Sequence, residues 1–183
     1  MPDEVLIALI AAQDRNAMQI VFVRYHPRVF RFLLRILVDA AAAEDLASEV
    51  FIDIWRNAGR FEARSKVSTW ILAIAHYKAA SARRRKSFGQ LDEAAVELIE
   101  DPLDDPEVTA QKNKRNAVLR DCLKQLSPAH REILDLIYYH EQSVAEVARI
   151  VGVSENTVKT RAFYARKHIA QLMAARGVER ASL

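Results

Sequence analysis

A stretch in the last third of the chain combines cationic and hydrogen-bonding side chains at the spacing of one helix face. Val158, Ala162 and Ala165 recur at three- and four-residue intervals and define the buried side of that helix. The opposite side carries Asn156, Lys159, Thr160, Phe163 and Arg166. Lys and Arg neutralise phosphates, whereas Asn, Thr and an aromatic ring contact base edges. The chemistry predicted for this face is DNA binding.

The residues just before this face predict how the helix is positioned. Val144, Val147 and Val151 lie on one side of a short preceding helix. Gly152 follows where the chain must reverse with a positive φ, and Ser154 is a good N-cap for the next helix. The alternative is an ordinary helical hairpin with a solvated outer face. The turn glycine, the cap and the basic second helix together favour DNA binding.

A second mixed group occurs in the first half of the chain. Around one polar loop, residues 60–66, the sequence places Phe61, Arg64, Ser65, Lys66, Ser68, Thr69 and Trp70. Such a surface can stack splayed bases and neutralise the strand that carries them. Trp70 favours the core, because Ile71 and Ile74 share its side of the next helix, and Phe61 suits either core or surface.

Other charged groups have two interpretations each. The run 83–86 is a salt-sensitive phosphate contact, with Arg83 and Arg84 as candidate DNA ligands, or it is a solvated helix end. The carboxylates of Asp45, Glu49 and Asp53 lie on the exposed side of an amphipathic helix, where solvated charge is the default.

Catalytic and cofactor chemistry is not indicated. The five histidines are scattered and have no metal-ligand spacing with the single cysteine, Cys122. There is no glycine-rich phosphate loop and no nucleophile elbow. We therefore expect a protein that is not an enzyme and needs no cofactor or metal.

Composition limits the class of protein. The 183 residues are 51% hydrophobic and 28% charged with only 4 Gly and 5 Pro, which is typical of a helix-rich globular chain. No run of eighteen apolar residues occurs, so no membrane insertion is expected. The acidic start lacks a secretory n-region, and Cys122 cannot form an internal disulfide. These features predict a cytoplasmic protein.

The net charge of +3 is distributed unevenly. Residues 1–86 carry 14 Lys and Arg against 9 Asp and Glu, and residues 112–183 carry 13 against 7. Residues 87–111 carry 8 acids and no Lys or Arg. Two basic modules on either side of an acidic strip suit a polyanion that is contacted at two places.

Helical periodicity predicts an all-α architecture of two small domains on a flexible tether. The domains are residues 1–86 and 112–183, and the tether is the acidic linker 87–111, with a short helix possible at 92–99. The other helices are expected at 4–12, 17–38, 43–57, from 67 to the basic run, 107–126 and 128–139. Pro27 should cost stability inside the second of them, and Ser68 is a possible cap for the fourth.

Four blocks of the sequence, in order, resemble one family. They are RYHPRVFRF from residue 24, AEDLASEVFIDIW from 43, residues 61–75 with STWILAIA, and LKQLSPAHREIL from 123 through to 166. Together they resemble the extracytoplasmic-function (ECF) sigma factors of bacterial RNA polymerase, over about residues 17–173. The resemblance implies a region 2 domain that binds the polymerase clamp and melts the minus-ten element. It also implies a region 4 helix-turn-helix that reads the minus-thirty-five element.

The resemblance also implies roles for single residues and for partners. Asp45, Glu49 and Asp53 would face the clamp of core RNA polymerase, and loop 60–66 with Ser68 would hold a flipped base of the melted strand. Beside the groove of the upstream duplex would lie Asn156, Lys159, Thr160, Arg161 and Phe163. The linker would run toward the polymerase active centre, and an anti-sigma factor would control the activity of the protein.

Three positions depart from the family pattern: Ser48 stands for the usual Gln, Tyr77 for Asn and Ala162 for Leu. They bear on promoter sequence and polymerase affinity rather than on the fold. One alternative is a sigma-like decoy that titrates an anti-sigma factor. Another is a regulator that uses only the C-terminal helix pair, for which the first half would need a ligand pocket or receiver signature.

Overall fold

The computed structural model describes residues 1–37, 39–87 and 110–177, and within these ranges the chain forms helices and turns without a β-strand. A first unit consists of α1 (Asp3–Ala11), α2 (Arg15–Leu37), α3 (Ala40–Asn57) and α4 (Val67–Ser87). A second unit consists of α5 (Ala110–Lys124), α6 (Pro128–Leu134), α7 (Val144–Val151) and α8 (Glu155–Ala175). The predicted all-α class is confirmed. Most of the predicted linker, and the short helix at 92–99, lie outside the described residues.

The first unit is built on one apolar face of α2. Val21, Val29 and Phe32 on this face are fully buried, because their spacing brings them to the same side of the helix. Helices α1, α3 and α4 pack around that face. Helix α3 begins earlier than expected, since the Asp39 side chain caps it by accepting from the backbone N–H of Ala42 at 3.0 Å.

Pro27 lies inside α2 and does not end it. A proline has no N–H to donate, so the carbonyl of Val23 loses its partner within the helix. Both residues are exposed, and water can bind that carbonyl instead. The solvent-facing position is what makes the proline tolerable there.

A 3₁₀ turn (Ala58–Arg60) and the basic loop, residues 60–66, connect α3 to α4. Ala63 has a φ of 53°, so the loop turns sharply. Helix α4 then begins at Val67, and the prediction that Ser68 caps it is wrong, because Ser68 lies inside the first turn. Val67 and Ile71 are both buried, and their burial draws the first turn onto the core.

Helix α6 of the second unit begins with a cap that the sequence predicts. Ser127 accepts from the backbone N–H of His130 at 3.3 Å, and Pro128 takes the first position of α6. After α6 the chain continues as a π-helical turn, Asp135–Tyr139. The sequence predicts instead one continuous α-helix over 128–139. Such single wide turns often mark functional positions.

Helices α7 and α8 form the predicted pair with a tight turn. Gly152 has a φ of 69°, and Ser154 accepts from the backbone N–H of Thr157 at 3.1 Å. Ser143 and Glu146 form a reciprocal capping box at the start of α7, a feature that a Ser-x-x-Glu pattern indicates and hydrophobic periodicity does not. On α7 the fully buried residues are Val147 and Ile150, whereas Val144 and Val151 are half-buried.

The two units share one hydrophobic core. Ile133, Leu136 and Val147 of the second unit belong to the same cluster of buried side chains as α2 and α4. The principal packing contact between the units is that of α7 on α4. A smaller cluster of Leu126, Leu134 and Ala165 holds the second unit together on its far side.

The turn between α7 and α8 provides a test of the fold. We expect Gly152→Ala to lower the free energy of unfolding by about 1–2 kcal/mol, because an L-residue resists the left-handed conformation. No atom would contact the new Cβ, so the cost is one of backbone conformation alone. Urea denaturation measures it. The matched control is Gly59→Ala, whose Cβ would meet only Ala11 at an ordinary 3.9 Å and should not destabilise the protein.

Candidate nucleic-acid interface

Helix α8 presents its predicted DNA face to solvent. Val158, Ala162 and Ala165 are buried, as expected. The exposed side chains opposite them are Asn156, Lys159, Thr160, Phe163 and Arg166. Arg161 differs from these because it is half-buried toward one edge of the helix. The face therefore offers cations and amide or hydroxyl groups along one accessible line.

Aromatic side chains are exposed on the same helix. Phe163 is 56% exposed and meets Tyr164 edge-on, with ring centroids 5.5 Å apart. Tyr138 is also exposed, and its hydroxyl accepts from Arg166 at 3.3 Å. Apolar rings in a polar surface suit contact with thymine methyl groups. Sequence periodicity did not single out Tyr164, and Tyr138 lies outside α8, on the π-helical turn.

The basic loop is an exposed turn whose cations already have partners. Arg64 forms an ion pair with Glu62 at 2.7 Å, and Lys66 forms one with Glu146 of α7 at 3.0 Å. The backbone carbonyl of Arg64 also accepts from Arg149 of α7 at 2.7 Å. Ser65 and Ser68 are half-buried beside them. The loop thus brings the predicted residues together beside α7 of the second unit, with the side chains of Arg64 and Lys66 still 83% and 72% exposed.

The remaining residues around the loop, Thr69, Phe61 and Trp70, differ in how deeply they are buried. Thr69 is buried and donates to Gln142 of the second unit at 2.9 Å. Phe61 and Trp70 are half-buried with ring centroids 5.1 Å apart, so the core position favoured for Trp70 is only partly attained. Their packing stiffens the base of the loop.

An open cleft of about 410 Å³ lies between α3 and α4. Its walls include the aromatic rings of Trp70 and Tyr77, the Asn57 amide and the Arg60 guanidinium. Tyr77 is 68% exposed. Aromatic faces beside an amide and a cation can hold an unpaired base.

Arg83 and Arg84 are exposed, but the structure does not bring them to the basic loop. They lie at the other end of α4, roughly 24 Å from its first residue at the rise of an α-helix. Arg83 instead lines a small cavity with Arg131 of α6. Burial, and then the nearby Arg83 charge, lower the pKa of Arg131 below its usual range.

The three predicted polymerase-binding acids share one side of α3. Asp45 and Glu49 are exposed, whereas Asp53 is half-buried. Lys78 of α4 forms ion pairs with Glu49 at 3.1 Å and with Asp53 at 2.9 Å. Burial opposes the charge of Lys78, but the two carboxylates outweigh it and raise the pKa of that lysine. Sequence spacing did not reveal that these acids also join α3 to α4.

The described ranges contain no group of three His, Cys, Asp or Glu side chains placed to hold a metal ion. Among the same residues, no helix is both long and apolar enough to cross a membrane. Cys122 is buried on α5, where its sulfur accepts from Arg176 at 3.3 Å.

Comparison with protein-family models finds two matches. Residues 21–88 match Sigma-70 region 2, and residues 116–169 match Sigma-70, region 4. The chain is 27% identical over 164 residues to the ECF RNA polymerase sigma factor SigK of Mycobacterium tuberculosis (strain H37Ra), covering 86% of each chain. It is 29% identical over 176 residues to the ECF RNA polymerase sigma factor BldN of Streptomyces coelicolor, covering 92% of this chain and 64% of BldN.

Two solved structures share the fold. One is RpoE in complex with the anti-sigma factor NepR from Bartonella quintana, with a TM-score of 0.71 and 22% identity over 88% of this chain and 98% of that one. The other is CnrH in complex with the cytosolic domain of CnrY, with a TM-score of 0.69 and 18% identity over 94% of this chain and 97% of that one.

The contact between Glu146 and the basic loop makes stability depend on pH. Burial alone would raise the pKa of Glu146, but hydrogen bonds from Ser143 and Lys66 outweigh it, and the pKa falls below the ordinary 4.5. A lowered folded-state pKa adds stability that is present above pH 4.5 and is lost as the pH falls through the folded value.

We therefore expect Glu146→Gln to cost about 0.5–1 kcal/mol at neutral pH, because it removes a charge from a helix N-terminus. The difference from the unmodified protein should shrink as the pH falls below 4.5 and through the lowered pKa of Glu146. Urea unfolding across that range measures it. The control is Glu141→Gln, an exposed glutamate on the preceding turn, and a difference that persists unchanged in acid would contradict the ion pair.

Proposed function

The chain belongs to the extracytoplasmic-function sigma factors of bacterial RNA polymerase, and we propose that it directs the core enzyme to a specific set of promoters. Sigma factors are transcription-initiation factors and not enzymes. The observation that carries the proposal is the exposed polar and cationic face of α8, held behind the left-handed turn at Gly152. We assign residues 1–86 to sigma region 2, 112–183 to region 4 and 87–111 to the linker between them.

In this proposal α8 reads the upstream duplex element. A helix-turn-helix places the N-terminal part of its second helix in the major groove. Asn156, Thr160 and Phe163 would contact base edges there, while Lys159, Arg161 and Arg166 would hold phosphates. The half-burial of Arg161 suits a side chain that reaches sideways to the backbone of the duplex.

The first unit would bind the melted single strand of the promoter. Arg64, Ser65, Lys66 and Ser68 would contact an unpaired base and its phosphates. Such single-stranded contacts combine a cationic surface with aromatic rings, and Phe61 and Trp70 stand just behind the loop. Arg83 and Arg84, at the far end of α4, would contact phosphates outside this site.

The acidic side of α3 would bind core RNA polymerase. Asp45 is exposed and stands one turn before Glu49, so the two carboxylates form an accessible strip on the helix. The departure at Ser48 lies within this strip and is exposed as well.

We further propose that an anti-sigma factor controls this chain in the cytoplasm. Both proteins of similar fold described above are held in complexes, and NepR is named as an anti-sigma factor. The decoy alternative shares this partner and differs only in promoter activity. The regulator with a sensory first half is disfavoured, since that half matches region 2.

Removing two cations from α8 tests the upstream contact. Lys159→Ala with Arg161→Ala should weaken promoter binding and flatten the slope of log K against log salt by roughly two units, about 0.9 per lost phosphate contact. Fluorescence anisotropy at several salt concentrations measures both quantities. Lys124→Ala removes a cation from α5, paired with Asp121, and should leave the slope unchanged. An unaltered slope in the double variant would remove the assignment of α8.

Reversing charge on α3 tests the polymerase contact. Glu49→Lys with Asp53→Lys should abolish co-purification with core RNA polymerase. These acids also bind Lys78, so the matched control is Lys78→Gln, which breaks both ion pairs and keeps both carboxylates. Retained binding in the control with loss in the double variant assigns the effect to the surface. Loss in both would show that packing of α3 on α4 is responsible.

Transcription in vitro from a genomic promoter library, with core RNA polymerase and with or without this protein, tests the function as a whole. Start sites that appear only with the protein establish a sigma factor and reveal both promoter elements. An absence of transcripts despite tight binding to a candidate anti-sigma protein would favour the decoy.

A further inference from the structure

A small cavity where the two units meet, the arginine cavity, is lined by arginines from three different helices. Arg35 comes from α2, Arg83 from the C-terminal half of α4 and Arg131 from α6. The volume of the cavity is about 40 Å³, which is room for roughly three water molecules at 10–15 Å³ each. Arg83 is exposed, so the cavity is reached from solvent. A space of this size suits one phosphate group.

Two of the three guanidinium groups are held in place by the protein itself. Arg35 forms an ion pair with Asp135 and lies over the ring of Tyr139, 3.4 Å from its centroid. Arg131 donates from Nη2 to two backbone carbonyls where α5 passes into α6, at 3.1 and 3.2 Å. Because both side chains are already ordered, an anion that binds between them does not have to order them, and binding costs less conformational entropy.

Arg131 also has a donor to offer. Its Nε atom is buried and has no acceptor among the described residues. Buried hydrogen-bond donors in native proteins nearly always have a partner, and a donor without one costs free energy. An oxygen of an anion bound in the arginine cavity would supply this acceptor.

The carboxylates that line the arginine cavity already have cationic or polar partners. Asp135 pairs with Arg35, and Glu132 lies 2.6 Å from the Nδ1 atom of His76. With three arginines against two carboxylates, the walls carry a formal excess of one positive charge. A negatively charged ligand would therefore meet a net attraction.

Arg83 and Arg131 are the source of that excess. Neither forms an ion pair with a carboxylate of the described residues. Burial, and then the charge of Arg83, lower the pKa of Arg131, so the two guanidinium groups repel each other. An anion between them would replace one repulsion by two attractions.

We propose that the arginine cavity binds the phosphate group of a small molecule between Arg35, Arg83 and Arg131. The bound group connects α2 and α4 of the first unit with α6 of the second, and so stabilises their packing. The site shares only Arg83 with the proposed DNA contacts, and it includes neither the basic loop nor the exposed face of α8. It therefore goes beyond the proposed function.

Titration of the full-length protein with inorganic phosphate at constant ionic strength tests this site. Nuclear magnetic resonance of the arginine Nε–H groups follows binding, and the Arg131 signal should shift until the site is saturated. Arg83→Gln should weaken binding about tenfold or more, because it removes a charge-assisted hydrogen bond. Glu132→Gln should tighten binding several-fold, because it removes a negative charge from the wall of the cavity.

The matched control is Arg85→Gln, which removes the same charge from an exposed position near the end of α4. Arg85 does not line the arginine cavity, so this variant should bind phosphate as the unmodified protein does. Equal weakening in Arg83→Gln and Arg85→Gln would overturn the proposal, because binding would then follow net charge alone.

Two further outcomes would also overturn the site. One is an Arg131 Nε–H signal that phosphate does not shift. The other is a single-stranded oligonucleotide that binds through Arg83 while inorganic phosphate does not bind, because Arg83 would then serve only as a DNA contact. The phosphate titration uses no promoter and no polymerase, so a failure of the proposed function in transcription would leave its result unchanged.

Discussion

The ion pair between Arg35 and Asp135 connects residues 100 positions apart, and the placement of the second unit depends on it. Asp135 begins the π-helical turn and the buried His140 follows it, and α2 supplies Arg35 as a partner to the first and Arg28 to the second. Arg28 supplies a hydrogen to Nδ1 of His140, so in the neutral ring the remaining hydrogen is on Nε2, 3.2 Å from Asp135. Buried charges are tolerated only with partners, and these partners lie on the first unit.

Several charged residues that are suited to bind an external partner already form ion pairs within the chain. Lys66 and Arg64 are suited to bind a nucleic-acid strand, yet Lys66 already forms an ion pair with Glu146 of α7, and Arg64 forms one with Glu62. Glu49 and Asp53 are suited to bind polymerase, yet they also hold Lys78 and so join α3 to α4. In both places an acid–base pair within the chain occupies groups that an external partner would otherwise use. Binding then includes the cost of separating an existing pair.

Local chemistry explains which elements the sequence predicted well. The tight turn at Gly152, the caps at Ser127 and Ser154 and the buried side of α8 depend on neighbours within four residues, where periodicity and cap preferences operate. Ser68 was misplaced because a hydroxyl residue near a helix start resembles a cap, while burial of Val67 decided where α4 begins. The π-helical turn at Asp135–Tyr139 carries no such local signature.

The sequence by itself determined that the chain is all helical, that α8 has one polar, cationic face, and that the acids of α3 lie on one side. Each is a property of spacing along a single helix, which follows from the 3.6-residue period. Only the tertiary structure decided that α7 packs on α4, that Thr69 donates to Gln142, and that Lys66 of the basic loop pairs with Glu146 of α7. Such pairings are set by complementary shape and charge between residues far apart in the chain, and no periodic pattern encodes them.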